Sequence, residues 1–273
     1  MSSKIVLMGS GNVASHLGQI LYHNGHQILQ VYSRNLTNAV HLAKQMQADA
    51  IDQLKELNTE ADFYLICIKD DAIQSISAEC SNYLPPHSHI AHTSGVNSRD
   101  LIDPYFIHRG LFYPLQSFSL NSQPDWTEIP IFTEGSEASL AAFHELAATI
   151  SHKVYHMNDA IRTHLHLASV FANNFTNFNL IIAKQILESC NVPLEVLNPL
   201  MTETILKAFK LDPIHTQTGP AKRMDTTTLE KHIRLLVSEF PEYRTLYKKY
   251  SLLIMQTFKH ENPRPNSTPT TAD

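Results

Sequence analysis

The most chemically explicit segment of the chain is Gly9-Ser10-Gly11-Asn12-Val13-Ala14, a Gly-x-Gly-x-x-Ala turn. In such a turn the first glycine permits a tight bend, the second lets backbone approach a pyrophosphate, and the small third residue allows close helix packing. The pyrophosphate rests on free N–H groups at the helix start, where the helix dipole is positive. Further on, Ser33-Arg34-Asn35 stands where a NAD site generally places an acid for the ribose hydroxyls. An acid would repel a 2′-phosphate, whereas Arg34 can pair with one and Ser33 can donate to it. NADP is therefore expected as the cofactor, with a solvated surface arginine as the alternative for Arg34.

Ligands of open α/β sheets lie beyond the carboxyl ends of the strands. Lys69-Asp70-Asp71 and Thr93-Ser94-Gly95 occupy two such turns. Lys69 then belongs to the cofactor set, beside the ribose and nicotinamide half, and Ser94 offers a hydroxyl near the reacting carbon. Both segments also read as ordinary polar loop caps. His166 and Asn174 are eight residues apart on one expected helix, about 80° apart around it, so they can line one wall. An imidazole there can donate a proton while an amide holds a substrate oxygen; the bland alternative for His166 is a satisfied core histidine. Arg223, near Asp225 and after Thr218-Gly219-Pro220, can grip a carboxylate at two points, or form a structural salt bridge or a subunit contact. Gln116 and Ser117 are weaker candidates for the same crevice. No metal is expected. His164 and His166 are about 200° apart on the helix, and His87, His89 and His92 lack a spaced Cys, Asp or Glu to complete a tetrahedral set.

These groups need a scaffold. Lys4 to Met8 is a short aliphatic run entering the glycine turn, followed by apolar positions Val13, Leu17, Ile20 and Leu21 at helical spacing, a closing Gly25, and a second strand from Ile28 to Tyr32. That is a βαβ unit. Helices near 37–46, Leu54 and after Asp71 alternate with strands near Ala50 and at 63–68, 90–93, 110–112 and 129–133. The expected fold is α/β, a doubly wound, mostly parallel Rossmann sheet over residues 1–155. Strand signals stop after Val154, and 159–190 runs without Pro or Gly, reading as one long helix. Ile161, Leu165, Ala168, Phe171, Phe175, Phe178, Ile182 and Ile186 form a stripe, with Val170, Leu180 and Ile181 apolar elsewhere. Such a helix should be buried on several sides, in an all-α domain over 156–262 that forms the dimer, with helices near 226–240 and 242–258. The polar, Pro-rich tail 263–273 is expected to be disordered.

Composition bounds the rest. The 273 residues, 43% hydrophobic and 17% charged, describe a globular chain of one or two domains. A net charge of −5 gives no electrostatic footprint for nucleic acid or an anionic membrane. The 16 histidines make the sign of that charge depend on pH near 6. Three scattered cysteines, no signal peptide and no apolar run of about 18 residues point to a reducing, cytoplasmic setting.

Taken together, the sequence resembles the NADP-binding Rossmann-like oxidoreductases with a C-terminal DUF2520 domain, in the 6-phosphogluconate dehydrogenase-like superfamily. The likeness is carried by Gly9 to Ala14, Ser33-Arg34, His92 to Gly95, Gly110 to Phe118, His166-x-Ala168 leading to Asn174, and Thr218 to Asp225 with His232 following. Pyrroline-5-carboxylate reductase and prephenate dehydrogenase look like more distant relatives. The resemblance implies the fold and NADP cofactor of an oxidoreductase but supplies no reaction; the expectation for this chain is hydride passing between nicotinamide and a small carbonyl or imine carboxylate bound between the domains. A prephenate-dehydrogenase-like enzyme and a non-catalytic NADP-responsive binding protein are the alternatives. Two positions depart from the pattern: Tyr113 replaces a usual histidine before Pro114, and Met224 replaces a usual glycine.

Overall fold

The computed structural model describes residues 2–119 and 122–261; the tail expected to be disordered, 263–273, lies outside them. The chain divides into two compact units, Met1–Asn173 and Asn174–Asp273.

The first unit is built on eight strands: β1 (Lys4–Met8), β2 (Gln27–Tyr32), β3 (Asp49–Ile51), β4 (Phe63–Ile66), β5 (His89–His92), β6 (Arg109–Pro114), β7 (Ile131–Gly135) and β8 (Val154–His156). Their order is β3-β2-β1-β4-β5-β6-β7-β8, and every neighbouring pair is parallel except β6 with β7. The helices are α1 (Asn12–His23), α2 (Leu36–Lys44), α3 (Ile73–Cys80), α4 (Glu137–Ala148) and α5 (Asp159–Ser169). Side chains alternate between two cores, as the pleat requires. Ile5, Leu7, Phe63 and Leu65 pack into one, Val6, Met8, Tyr64 and Ile66 into the other. Burial on both faces is why these strands read as unbroken apolar runs.

Register brings the turns together. Met8 pairs with both Tyr32 and Ile66, and Ile66 pairs with His92. The segments starting at Gly9, Ser33, Cys67 and Thr93 therefore leave the sheet at one level, beside the β1/β4 boundary where strand order reverses.

Three expectations need correction. The helix near Leu54 is a single 3-10 turn, Leu54–Glu56; the Gln30 amide captures Glu56 O and Asn58 N, ending it after one turn. Strand structure does not stop at Val154, since β8 begins there, and its exposed Tyr155 and His156 give no alternating signal. The run 159–190 is not one uniform helix: α5 passes into a π-helical turn at Val170–Phe175 and continues as α6 (Thr176–Glu188). The 100° step used to relate His166 to Asn174 fails across that wider turn. The division between the units falls inside the π turn, and Arg162 of α5, in the first unit, pairs with Glu134 of β7.

The second unit holds α6, α7 (Asn198–Leu211), α8 (Pro213–Thr216), α9 (Thr226–Glu239) and α10 (Arg244–Thr257). Asp225 caps α9 by accepting from Thr228 N at 3.0 Å and Thr228 Oγ1 at 2.7 Å. The residue before it, Met224, has φ 55, a left-handed conformation that accounts for glycine being usual there. Along the run expected to be buried on several sides, Phe171 is 60% and Phe178 46% exposed. Among the described residues, no helix is long and apolar enough to cross a membrane.

Candidate active site

A cleft of about 790 Å³ opens where the four turns converge. Its first wall is the glycine turn. Gly9 has φ +133, and a Cβ there would lie 2.2 Å from Cys67 O, so this position needs glycine for its conformation and to let β1 meet the end of β4. A Cβ on Gly11 would have nothing within 4 Å, so that side of the turn is open to a ligand.

Gly11 is the N-cap of α1, and no side chain caps this helix or places an acid in its first turn. By contrast, α2, α5 and α9 are capped by Asn35, Asn158 and Asp225. The N–H groups of the first turn of α1 therefore point into the cleft mouth without a side-chain acceptor, the arrangement an anionic pyrophosphate satisfies. Gly9, Ser10, Gly11, Asn12 and Val13 line the cleft. Ala14 does not; it is fully buried beneath the turn, where its small size permits the packing. The Asn12 amide is tied to Phe118 O at 3.0 Å.

At the end of β2, Ser33 and Arg34 line the same cleft. Ser33 Oγ accepts from Ser10 Oγ at 2.9 Å and from Asn35 N at 3.3 Å, which leaves its own proton free to donate outward. Arg34 is exposed, and among the described residues it has no recorded hydrogen bond or ion pair. The donor set fits NADP: free helix N–H groups for the pyrophosphate, then a hydroxyl and a guanidinium for the 2′-phosphate.

The other end is framed by the turns after β4 and β5. Lys69, Asp70, Ser94, Gly95 and Val96 line it, as does His166 from α5; Asp71, Gln116 and Ser117 do not. The Ser94 hydroxyl is engaged: it donates to Asp70 Oδ2 at 2.9 Å and accepts from Val96 N at 3.3 Å and Asn97 N at 3.2 Å. Beneath the turn, His92 Nδ1 accepts from Ser94 N at 3.2 Å while Nε2 faces Ser98 O at 3.0 Å. That assigns the proton to Nε2, and burial holds the His92 pKa below the usual histidine value. Half-buried His166 has a sealed Nδ1 with no hydrogen-bond partner, so it is not the satisfied core histidine that was the alternative. Asn174 and Arg223 belong to the second unit.

Sequence reasoning missed Asn38 of α2, and Ser75 and Ile76 of α3, which also line the cleft. Their signal was positional, since the first turns of helices that follow β2 and β4 open toward the same crevice. It also missed Arg162, whose side chain is 3% exposed, pairs with Glu134 and donates from Nε to Val96 O at 3.3 Å. No local pattern marks a partner so far along the chain. Among the described residues, no three His, Cys, Asp or Glu side chains are grouped to hold a metal ion. His89 instead stacks on His108, with ring centroids 4.7 Å apart.

Residues 4–95 match the family described as "NADP oxidoreductase coenzyme F420-dependent", and residues 129–254 match "Domain of unknown function (DUF2520)". Among curated proteins nothing matches the sequence. Among solved structures, an imine reductase from Myxococcus stipitatus in complex with NADP+ is similar at TM-score 0.66 and 14% identity, covering 94% of this chain and 93% of that one. A pyrroline-5-carboxylate reductase from Coxiella burnetii is similar at TM-score 0.59 and 15% identity, covering 96% and 100%. Both likenesses concern the fold. The structure named "putative NADP oxidoreductase BF3122" from Bacteroides fragilis is similar in sequence as well, 36% identical at TM-score 0.88 over 93% of this chain and 98% of that one. With more than a third of its residues identical to that protein over nearly the whole length, the chain belongs to the same family of NADP oxidoreductases, a Rossmann-like domain followed by a DUF2520 domain.

Proposed function

We propose that the protein is an NADP-dependent oxidoreductase acting on a small carbonyl or imine carboxylate. The observation that carries this reading is the uncapped start of α1 opening on a cleft that also holds Ser33 and Arg34. In this reading the first-turn N–H groups of α1 hold the pyrophosphate, and Ser33 and Arg34 hold the 2′-phosphate. The bound dinucleotide supplies hydride exchange at its nicotinamide ring. His166 gives a proton to the carbonyl oxygen or imine nitrogen. The imine reductase and the pyrroline-5-carboxylate reductase share the fold, which makes a C=N bond the first substrate class to assay.

The experiment compares dissociation constants for NADPH and NADH in the wild type and Arg34→Ala. Wild type should favour NADPH, and Arg34→Ala should erase most of that preference, on the order of 10-fold or more for a charge-assisted contact. Equal affinities in the wild type would refute the NADP assignment. His166→Ala should lower kcat by about 10²-fold or more while leaving NADPH affinity intact. NADPH binding without turnover across keto acids and cyclic imines would favour the binding-protein alternative.

We also infer a homodimer through the helical unit. From residue 174 on, only four described apolar residues are buried: Ala221, Leu229, Leu236 and Phe258. Meanwhile Leu200, Leu206 and Phe209 of α7 stand open, Phe209 85% exposed. Helices this apolar need cover, and a second copy is the commonest way soluble chains supply it. Sedimentation at micromolar concentration should give twice the monomer mass, and a monomer would overturn the inference.

A further inference from the structure

In the reading above the cleft receives a polyanion, yet a carboxylate stands in its wall. Among the described residues that line it, Asp70 is the single acid, beside the cations Arg34 and Lys69. Ser94 fixes its setting. The Ser94 Oγ accepts from Val96 N at 3.3 Å, Asn97 N at 3.2 Å and Asn97 Nδ2 at 3.1 Å, so its one proton goes to Asp70 Oδ2 at 2.9 Å. Asp70 is exposed, and among the described residues its second oxygen, Oδ1, has no hydrogen-bond or ion-pair partner. Support of the turn does not explain the charge, because an asparagine would accept the same bond from Ser94 without repelling an anion. Nor does the start of the following 3-10 turn need it. Asp71 already places an acid there, outside the cleft lining.

Position shows what the charge can face. The strands β2, β1, β4 and β5 end at one level, at Tyr32, Met8, Ile66 and His92, so the turns after β2 and β5 lie three strand spacings apart, about 14 Å. Arg34 leaves from the first of these turns, and Ser94, holding Asp70, from the last. The carboxylate therefore stands at the far end of the cleft from the groups assigned to the 2′-phosphate.

We propose that Asp70, positioned by Ser94, faces the nicotinamide ring and makes the cleft favour the oxidised, cationic cofactor over the reduced, neutral one. The proposal rests on the NADP reading above. Its chemical use is in hydride transfer. Hydride leaves C4 of the ring with the electron pair of its C–H bond and forms the new C–H bond of the substrate, while one positive charge develops beside Asp70. The substrate π pair takes the proton already assigned to His166, so no further donor enters. Asp70 moves no proton; its fixed negative charge stabilises the charge that appears as hydride departs.

The test measures dissociation constants for NADPH and NADP+ by titration calorimetry, without substrate, in wild type, Asp70→Asn, Asp70→Ser and Asp71→Asn. Contacts to the ribose, pyrophosphate and 2′-phosphate are common to both cofactors and cancel in the ratio. A carboxylate beside the ring should favour NADP+ on the order of 10-fold, so both Asp70 variants should weaken NADP+ relative to NADPH by that factor. Asp71→Asn, one residue on, should leave the ratio unchanged. If one Asp70 variant loses both cofactors, the other decides. An unchanged or reversed ratio, or an equal shift in Asp71→Asn, overturns the proposal and leaves the NADP reading standing. Loss of both cofactors in both Asp70 variants also overturns it, because Asp70 then serves the fold rather than the charge of the ring. A wild type that binds neither cofactor overturns both readings.

Discussion

Replacing Glu134 by Gln would remove the Glu134 charge that faces the buried Arg162 guanidinium. The two side chains are 3% and 10% exposed. At an effective dielectric near 20, opposite charges about 4 Å apart attract by about 4 kcal/mol, and breaking a buried pair from one side costs about 3–5 kcal/mol. Gln retains an acceptor oxygen and Arg162 keeps its bond to Val96 O, so the low end, about 3 kcal/mol, is expected for Glu134→Gln. Arg162→Met should cost less, about 2 kcal/mol, because Arg99 Nε remains 3.7 Å from the carboxylate. The double variant strands neither partner. It should cost about 3 kcal/mol rather than the sum of about 5, a coupling of about 2 kcal/mol. The assay is urea unfolding followed by fluorescence of Trp126, the single tryptophan, which is buried in the sheet unit and stacked on Phe118. It reports that unit rather than an average over two. Additive losses, or single losses below about 1 kcal/mol, would refute the pair as the tie between α5 and β7.

The glycine turn and the buried histidines give two further predictions. Gly9→Ala should cost about 3 kcal/mol, from a φ of +133 and a Cβ 2.2 Å from Cys67 O, and should abolish NADPH binding; a thermal midpoint near wild type would contradict the packing of β1 on β4. Burial is the leading cause that holds His26, His89 and His92 below the usual histidine pKa. Below about pH 6.5 the unfolded chain therefore binds more protons, and the stability these groups contribute above that pH is lost as pH falls toward the folded-state values. The limit is about 1.4 kcal/mol per pH unit for each histidine, about 4 for the three. Urea midpoints compared at pH 7.5 and 5.5 check the sign, and a more stable protein at pH 5.5 would refute it.

The sheet was legible because both of its faces are buried and its strands are short. Residues 5–8 of β1 and Phe63–Ile66 of β4 are apolar and buried throughout for that reason. Elements that owe their form to a distant partner were not. The single turn at Leu54 ends on the side chain of Gln30, and β8 forms at the sheet edge with two exposed residues in three. The run 159–190 was legible as helical, since nothing in it breaks a helix, but the π turn at Val170–Phe175 leaves no mark in composition. Its expected burial was inferred from apolarity alone, and apolarity does not say which chain supplies the cover.

The same distinction separates the two ends of the cleft. The glycine-turn end is shaped largely by backbone: a bend at Gly9, an open approach at Gly11, N–H groups without a side-chain acceptor at the start of α1. Such features are encoded within six consecutive residues, and a sequence states them directly. The other end is assembled from side chains that meet only after folding, with Asp70 held by Ser94, Tyr113 lying on Gly95 and His166 arriving from α5. Ser94 was chosen for its hydroxyl, yet its proton is committed to Asp70 and its oxygen to two backbone N–H groups. Tyr113, which departs from the family pattern, has a hydroxyl with no hydrogen-bond partner among the described residues. Residue type announces which groups are able to move a proton; only the hydrogen-bond arrangement shows which of them are still free to do so.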